Sequence, residues 1–234
     1  MARPKLDDWI AKKIGCSEPP GRKDIEEYQL VMLNNTLALA SGNSRFYRTR
    51  IGDTHLSELS DISAIPFSTP DDLRDNPNKM LCVSPNDITR VVTLKTSGST
   101  GAQKRIFFTD SDLELCTDFF HHGMRNLVGA EDIVGILFPS NTPYSVGDQL
   151  IKGLARLGTA TIPLFDLNDD DIVSSIIKNN ITSLVGFPQK IAHIARNNPH
   201  FTSIKTVLLS ADFVSDEVRQ TIKRSWTAEV FEHY

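Results

Sequence analysis

The apolar positions of this chain change their spacing near residue 90. Before that point they recur at helical intervals in two stretches. DDWIAKKI (7–14) reads as a short amphipathic helix, and DIEEYQLVMLNNTLALA (24–40) as a longer one closed by Gly42. LSELSDISAIPFSTPDDLRDNP (56–77) then mixes apolar positions with Pro66, Pro70 and Pro77, which predicts an ordered surface connection with a helical turn at Pro70 to Leu73. These elements predict an N-terminal helical segment and connection over 1–80 and an α/β portion over 81–234.

From residue 90 runs rich in Val, Ile and Leu alternate with helix-period segments, the pattern of βαβ units. The strand candidates are 90–96, 104–109, 132–138, 159–165, 182–187, 205–210 and 229–234. Most are apolar throughout, as strands covered on both faces would be. Between them Leu113, Cys116, Phe120, Met124 and Leu127 step by three and four, as do Val146, Leu150, Leu154 and Leu157. Ser215, followed by Asp216 and Glu217, caps a further helix striped by Val218, Ile222 and Trp226. The fold class expected is α/β, a mostly parallel sheet flanked by helices behind the N-terminal helical segment.

Composition narrows the partners. The chain has 234 residues, 40% of them apolar, and a net charge of −4, so it can bury a core but offers no clustered cation field for nucleic acid. Cys16, Cys82 and Cys116 are far apart and odd in number, which gives neither a disulfide framework nor a metal knuckle. The start lacks an apolar leader core, and no apolar run is long enough to span a bilayer, so a cytoplasmic protein is expected.

The stretch richest in chemistry is TSGSTGAQK (96–104), between two strand candidates. Gly98 and Gly101 permit a tight turn, Thr96, Ser97, Ser99 and Thr100 surround it with hydroxyl donors, and Lys104 and Arg105 add charge at its exit. A phosphate cradle and a plain Ser/Gly/Thr surface turn both fit this composition. A Walker loop does not, because Gln103 and Arg105 flank Lys104; the dinucleotide fingerprint fails because Gly98 and Gly101 are three apart and a strand follows.

The order Thr-Ser-Gly-Ser-Thr-Gly-x-x-Lys after a strand resembles the phosphate loop of the adenylate-forming superfamily, with Gln103 where that family usually has Pro. ISAIPFSTPDDLRDN (62–76) looks like the lead-in of its phenylacetate–CoA ligase-like branch, and TSLVGFPQKIAHIARN (182–197) like its strand, Gly-x-Pro and helix. TVLLSADFVSDEVRQTIKRSW (206–226) resembles its strand and adenine-binding turn, with Asp212 in place of Glu; EVFEHY resembles the strand entering its Tyr-Gly-x-Thr-Glu motif.

The resemblance implies activation of a carboxylic acid with ATP and Mg2+, followed by transfer to coenzyme A as co-substrate. It implies nucleotide binding by Thr96, Ser97, Gly98, Ser99, Thr100, Gly101, Lys104, Ser210, Ala211, Asp212, His233 and Tyr234, with Lys104 also acting in catalysis. An acid pocket of Phe138, Pro139, Tyr144, Gly186, Phe187 and Pro188 is implied as well. The remaining motif residues and a mobile second domain are expected beyond Tyr234, so the chain is expected to be an N-terminal portion, inactive alone. A noncatalytic nucleotide- or partner-binding module and an enzyme using a protein or carrier thiol are the alternatives. The partners expected are the small acid and ATP, with a homodimer left open and neither nucleic acid nor membrane.

The strand ends agree with this. In open parallel sheets ligands sit outside the carboxyl ends, where Phe138-Pro139, Gly186-Phe187-Pro188, Ser210-Ala211-Asp212 and His233-Tyr234 all fall. Other polar clusters read as structural. His121 and His122 are adjacent on a helix and share no face, and Asp169, Asp170 and Asp171 open a helix whose dipole they complement, as a solvated N-terminus. No metal ligands are assigned. Tyr144 reads equally as a pocket wall and as packing beside Pro143.

Overall fold

The computed structural model describes residues 5–75, 77–94 and 104–233, and within these it divides the chain into two compact units, residues 7–114 and, in the main, 115–234.

The first unit begins with α1 (Lys5–Ile14), whose Asp7 and Asp8 in the first turn and Lys12 and Lys13 in the last complement the helix dipole. Next come α2 (Arg22–Asn43) and α3 (Arg45–Ile51). Gly42 does not close α2. The break falls at Ser44, whose backbone is extended and serves both helices. Its N–H donates to Ala40 O at 2.9 Å, while its Oγ accepts from Tyr47 N at 3.4 Å and donates to Lys79 O at 2.7 Å. Arg48 Nε covers the orphan carbonyl of Ser41 at 3.0 Å. Leu37, Ile51 and Leu56 form the unit's small core.

The predicted turn at Pro70 is α4 (Pro70–Asp75), opened by Thr69 and Asp72, which exchange side chain-to-backbone hydrogen bonds. Thr109 and Asp112 repeat the device at the start of α5 (Asp110–Met124). Between these helices β1 (Ile88–Leu94) and β2 (Lys104–Thr109) pair antiparallel, with Leu94 opposite Lys104. These two strands stand apart from the parallel sheet and are not covered on both faces: Val91 is 48% and Ile106 39% exposed. The connection 95–103 is too short for a parallel crossover, which needs a dozen or more residues.

The second unit carries the remaining elements in strict alternation: β3 (Ile133–Ile136), α6 (Val146–Ala155), β4 (Ala160–Pro163), α7 (Asp169–Lys178), β5 (Ser183–Gly186), α8 (Pro188–Asn197), β6 (Thr206–Ser210), α9 (Asp216–Trp226) and β7 (Glu229–His233). All five strands run parallel, in the order β4-β3-β5-β6-β7. Strand alternation sorts the core into two layers. Val134, Ile136, Phe138 and Val185 pack with Leu150 and Leu154 of α6 and Met124 of α5; Leu184, Val207 and Leu209 pack with Ile176, Ile191 and Ile222 of α7, α8 and α9. At the edge of the described sheet, β7 is largely exposed, as its Glu229, Glu232 and His233 allow. Close approach explains two glycines. A Cβ on Gly135 would lie 2.7 Å from the side chains of Leu164 and Leu184, and one on Gly153 of α6 would lie 2.9 Å from His121 N on α5.

Candidate functional site

The strand order determines where a crevice can open. From β3 the chain moves outward to β4, then crosses back to β5 on the other side of β3 and continues outward through β6 and β7. The connections leaving the carboxyl ends of β3 and β5 therefore diverge, and this switch point is where parallel sheets hold ligands. Here the rings of Phe138, after β3, and Phe187, after β5, meet edge to face with centroids 5.0 Å apart. Gly186 makes that approach possible, because a Cβ there would sit 2.5 Å from Leu137 Cβ. Pro188 opens α8 directly behind the pair.

The segment from Phe138 to α6 forms one wall. Gly147 N donates to Pro139 O at 2.8 Å, and a Cβ on Gly147 would lie 2.6 Å from that oxygen, so the head of α6 rests on the backbone after β3. Tyr144 is held at φ 61°, a left-handed conformation costly for a bulky residue. Its N–H donates to Asp148 Oδ2 at 2.6 Å, its carbonyl accepts from Gln149 Nε2 at 3.0 Å, and Lys152 Nζ lies 4.4 Å from its ring centroid while pairing with Asp148 at 2.8 Å. Ser145 Oγ and Gln149 Oε1 are buried there without a hydrogen-bond partner among the described residues. Sequence reasoning missed Gln149 and Lys152; the only signal was a polar residue placed against the apolar stripe of α6.

The adjacent strand ends carry a second polar group. After β6, Ala211 takes φ 71°, a second left-handed non-glycine, and turns the chain so that Asp212 Oδ1 accepts from Phe213 N at 2.7 Å. Ser210 Oγ lies 3.3 Å from His233 Nδ1 on β7, and the His233 ring is 5.6 Å from that of Phe119 on α5. Phe213 projects 76% exposed, an aromatic surface that the sequence did not single out. Tyr144 and Ala211, two of the four left-handed non-glycine residues among those described, thus stand at carboxyl ends of the sheet, while Asn180 and Thr227 follow α7 and α9.

Of the residues predicted for the site, Phe138, Pro139, Tyr144, Gly186, Phe187, Pro188, Ser210, Ala211, Asp212 and His233 all lie at these strand ends in the second unit. Lys104 is the first residue of β2 in the other unit and is half-exposed. Thr96, Ser97, Gly98, Ser99, Thr100, Gly101 and Tyr234 lie outside the described residues.

The remaining polar clusters resolve structurally. Asp169 is more than a solvated helix start: it pairs with Lys190 and, at 3.1 Å, with His193, tying α7 to α8. The hydrogen bond from Lys190, with the Lys190 and His193 charges behind it, holds its carboxyl below the usual range against an opposing push from burial. His122 pairs with Asp118 at 3.4 Å within α5. Among the described residues no three His, Cys, Asp or Glu side chains gather to hold a metal ion, and no helix is long and apolar enough to cross a membrane.

Comparison with known proteins places this geometry. No protein-family model matches the chain. A phenylacetate–coenzyme A ligase of Pseudomonas putida is 24% identical over 213 residues, covering 86% of this chain and 48% of that protein. A crystal structure of 2-hydroxyisobutyryl-CoA ligase, in complex with 2-HIB-AMP and CoA in the thioesterification state, matches with a TM-score of 0.77 and 19% identity over 91% of this chain and 49% of that one. The amide bond synthetase McbA of Marinactinospora thermotolerans matches less completely, at a TM-score of 0.51 and 18% identity over 64% of this chain and 30% of that one. The chain thus spans about half the length of the curated relative it matches.

Proposed function

We propose, for a chain whose fold and sequence align with the N-terminal portion of the adenylate-forming enzymes of the phenylacetate–CoA ligase-like branch, that it supplies the nucleotide- and acid-binding half of an acid–CoA ligase. A carboxylate oxygen attacks the α-phosphorus of ATP and pyrophosphate leaves; the thiol of coenzyme A then attacks the acyl carbon, losing its proton, and AMP leaves. The observation that carries this reading is the convergence of aromatic, glycyl and polar residues at the β3/β5 switch point and the neighbouring strand ends.

In this reading Phe138, Pro139, Tyr144, Gly186, Phe187 and Pro188 take the organic part of the acid. The apolar wall excludes water, while Phe138 and Phe187 give it a ring-faced surface. Ser210, Ala211, Asp212, His233 and Tyr234 take the adenine, and the turn at Ala211 sets the backbone against it. Thr96, Ser97, Gly98, Ser99, Thr100 and Gly101, with Lys104, take the phosphates, where fixed donors and a cation stabilise charge developing on the transferring phosphorus. Mg2+ would arrive on the nucleotide's own phosphates; since the described residues present no ligand set for it, no step is assigned to a metal held by them.

The relatives that support this reading are a ligase for phenylacetate and one for 2-hydroxyisobutyrate. Their acids are small and uncharged apart from the carboxylate, which suits a crevice floored by Phe138 and Phe187. The absence of a membrane-spanning helix among the described residues is compatible with work in the cytoplasm on diffusible substrates. Radiolabelled pyrophosphate exchange into ATP, run on the full-length protein over aromatic and short branched acids, tests the proposal. Acid-dependent exchange is expected; its absence with every acid would refute it.

A further inference from the structure

The first unit contains a cavity that the proposed chemistry does not use. It measures about 350 Å3 and lies between α2, α3 and the segments around Ile65–Ser68 and Met80–Cys82. That volume falls in the range of small-molecule pockets, about 300–1,000 Å3, which are mostly apolar with a few placed polar groups. Leu37, Ala40 and Ile65 supply apolar wall, and Tyr47, Ser68 and Cys82 supply the polar groups.

The charge balance of that wall selects a ligand. Among the described residues that line it, Arg50 is the one ionised side chain, and its guanidinium is already engaged. Nη2 pairs with Asp72 at 2.9 Å, Nη1 donates to Phe67 O at 2.9 Å, and the group stacks 4.4 Å from the centroid of Phe46. The Tyr47 and Ser68 hydroxyls both line the wall, and the Cys82 thiol faces Met80 O at 3.5 Å. Burial raises both Tyr47 and Cys82, so each is neutral at ordinary pH. Free carboxylates and ammonium groups would therefore enter without a counter-charge. A neutral molecule with an apolar body and one hydroxyl would satisfy the wall.

We infer that this cavity is a second binding site, separate from the sheet's rim, for a neutral ring-sized molecule carrying a single hydrogen-bonding group, seated between Tyr47, Ser68 and Cys82. A void of about 150 Å3 accommodates benzene, so a phenol-sized molecule fits without enlarging this one. Its occupant braces the segment Ile65–Leu73, which Arg50 already clasps through Phe67 and Asp72. The site stands whether or not the rim activates acids.

Cys82 serves as its reporter. The 234-residue chain is treated with iodoacetamide alone and with phenol, toluene, benzoate or benzylamine, and modification at each cysteine is followed by mass spectrometry. Phenol should protect Cys82 saturably while leaving Cys16 and Cys116 unaffected, and benzoate and benzylamine should not protect. Ala40→Phe, which fills the cavity, should abolish protection with the circular dichroism unchanged. Ser68→Ala, which leaves the cavity open, should reduce the preference for phenol over toluene by roughly 2- to 10-fold. Absent protection, protection by benzoate equal to that by phenol, or protection unchanged in both variants would overturn the site.

Discussion

Phe138 and Phe187 meet edge to face, 5.0 Å between centroids, although 48 residues of α6, β4, α7 and β5 separate them along the chain. The pair joins the two diverging connections of the switch point, so packing and binding should separate by residue. Phe138 is 5% exposed and belongs to the core layer under α6. Phe138→Ala should cost about 3–5 kcal/mol in urea unfolding. Phe187 is only half-buried, so Phe187→Ala should cost less stability and instead raise the KM for the acid in pyrophosphate exchange.

Ala211 permits a test of strain. Its left-handed backbone costs an L-residue roughly 1–2 kcal/mol, while glycine there would lose some of that gain to extra freedom in the unfolded chain. Ala211→Gly is therefore expected to raise stability by about 0.5–1 kcal/mol in chemical denaturation. A lowered midpoint would mean that the turn is not strained.

Asp169 predicts an acid limb. Its folded pKa is depressed, so its pairing with Lys190 and His193 contributes stability above the unfolded carboxylate value, about 3.9, and that contribution is lost as pH falls through the lower folded value. Asp169→Asn should flatten stability against pH below about pH 4. Melting curves collected from pH 2.5 to 7 would check this; an unaltered acid limb would assign the loss to other carboxylates.

Lys104 separates fold from chemistry. It begins a two-stranded ribbon and lies half-exposed, away from any core, so Lys104→Ala should leave the melting temperature unchanged. Exchange by the full-length variant should fall about 10²–10³-fold, roughly 2.7–4 kcal/mol of lost charge stabilisation. An unchanged exchange rate would remove Lys104 from the site.

Much of this architecture was legible because apolar runs report burial. Each of the seven runs overlaps a strand, but β1 begins two residues before its run, at Ile88, and several other strands are shorter than theirs. Leu137 and Phe138 lie beyond the last residue of β3 yet stay buried: Leu137 N still donates to Val185 O at 2.8 Å and its side chain joins the core layer of α7, α8 and α9, while Phe138 packs in the layer under α6. Strand direction is not carried by apolar composition, which is the same in either sense; the pairing of β1 and β2 shows it to be antiparallel and puts both outside the parallel sheet. Asp169 read as solvated because its partners, Lys190 and His193, stand beyond β5 on α8. Tyr144 and Ala211 were named from the family resemblance, but their left-handed backbones are set by surrounding bonds such as Gln149 Nε2 to Tyr144 O, which no local pattern encodes.

The central claim is that the carboxyl ends of β3, β5, β6 and β7 form one site for acid and nucleotide. Its most direct test is an amide chemical-shift titration of the 15N-labelled chain with phenylacetyl-sulfamoyl adenosine, a stable mimic of the acyl-adenylate expected from the phenylacetate ligase likeness. The account predicts saturable shifts at Phe138, Tyr144, Ser145, Gly186, Phe187, Ala211, Asp212 and Phe213, with Asp132 and Thr182 at the opposite strand ends unmoved. No shift at saturating mimic, or shifts gathered around Asp132 and Thr182, would contradict it.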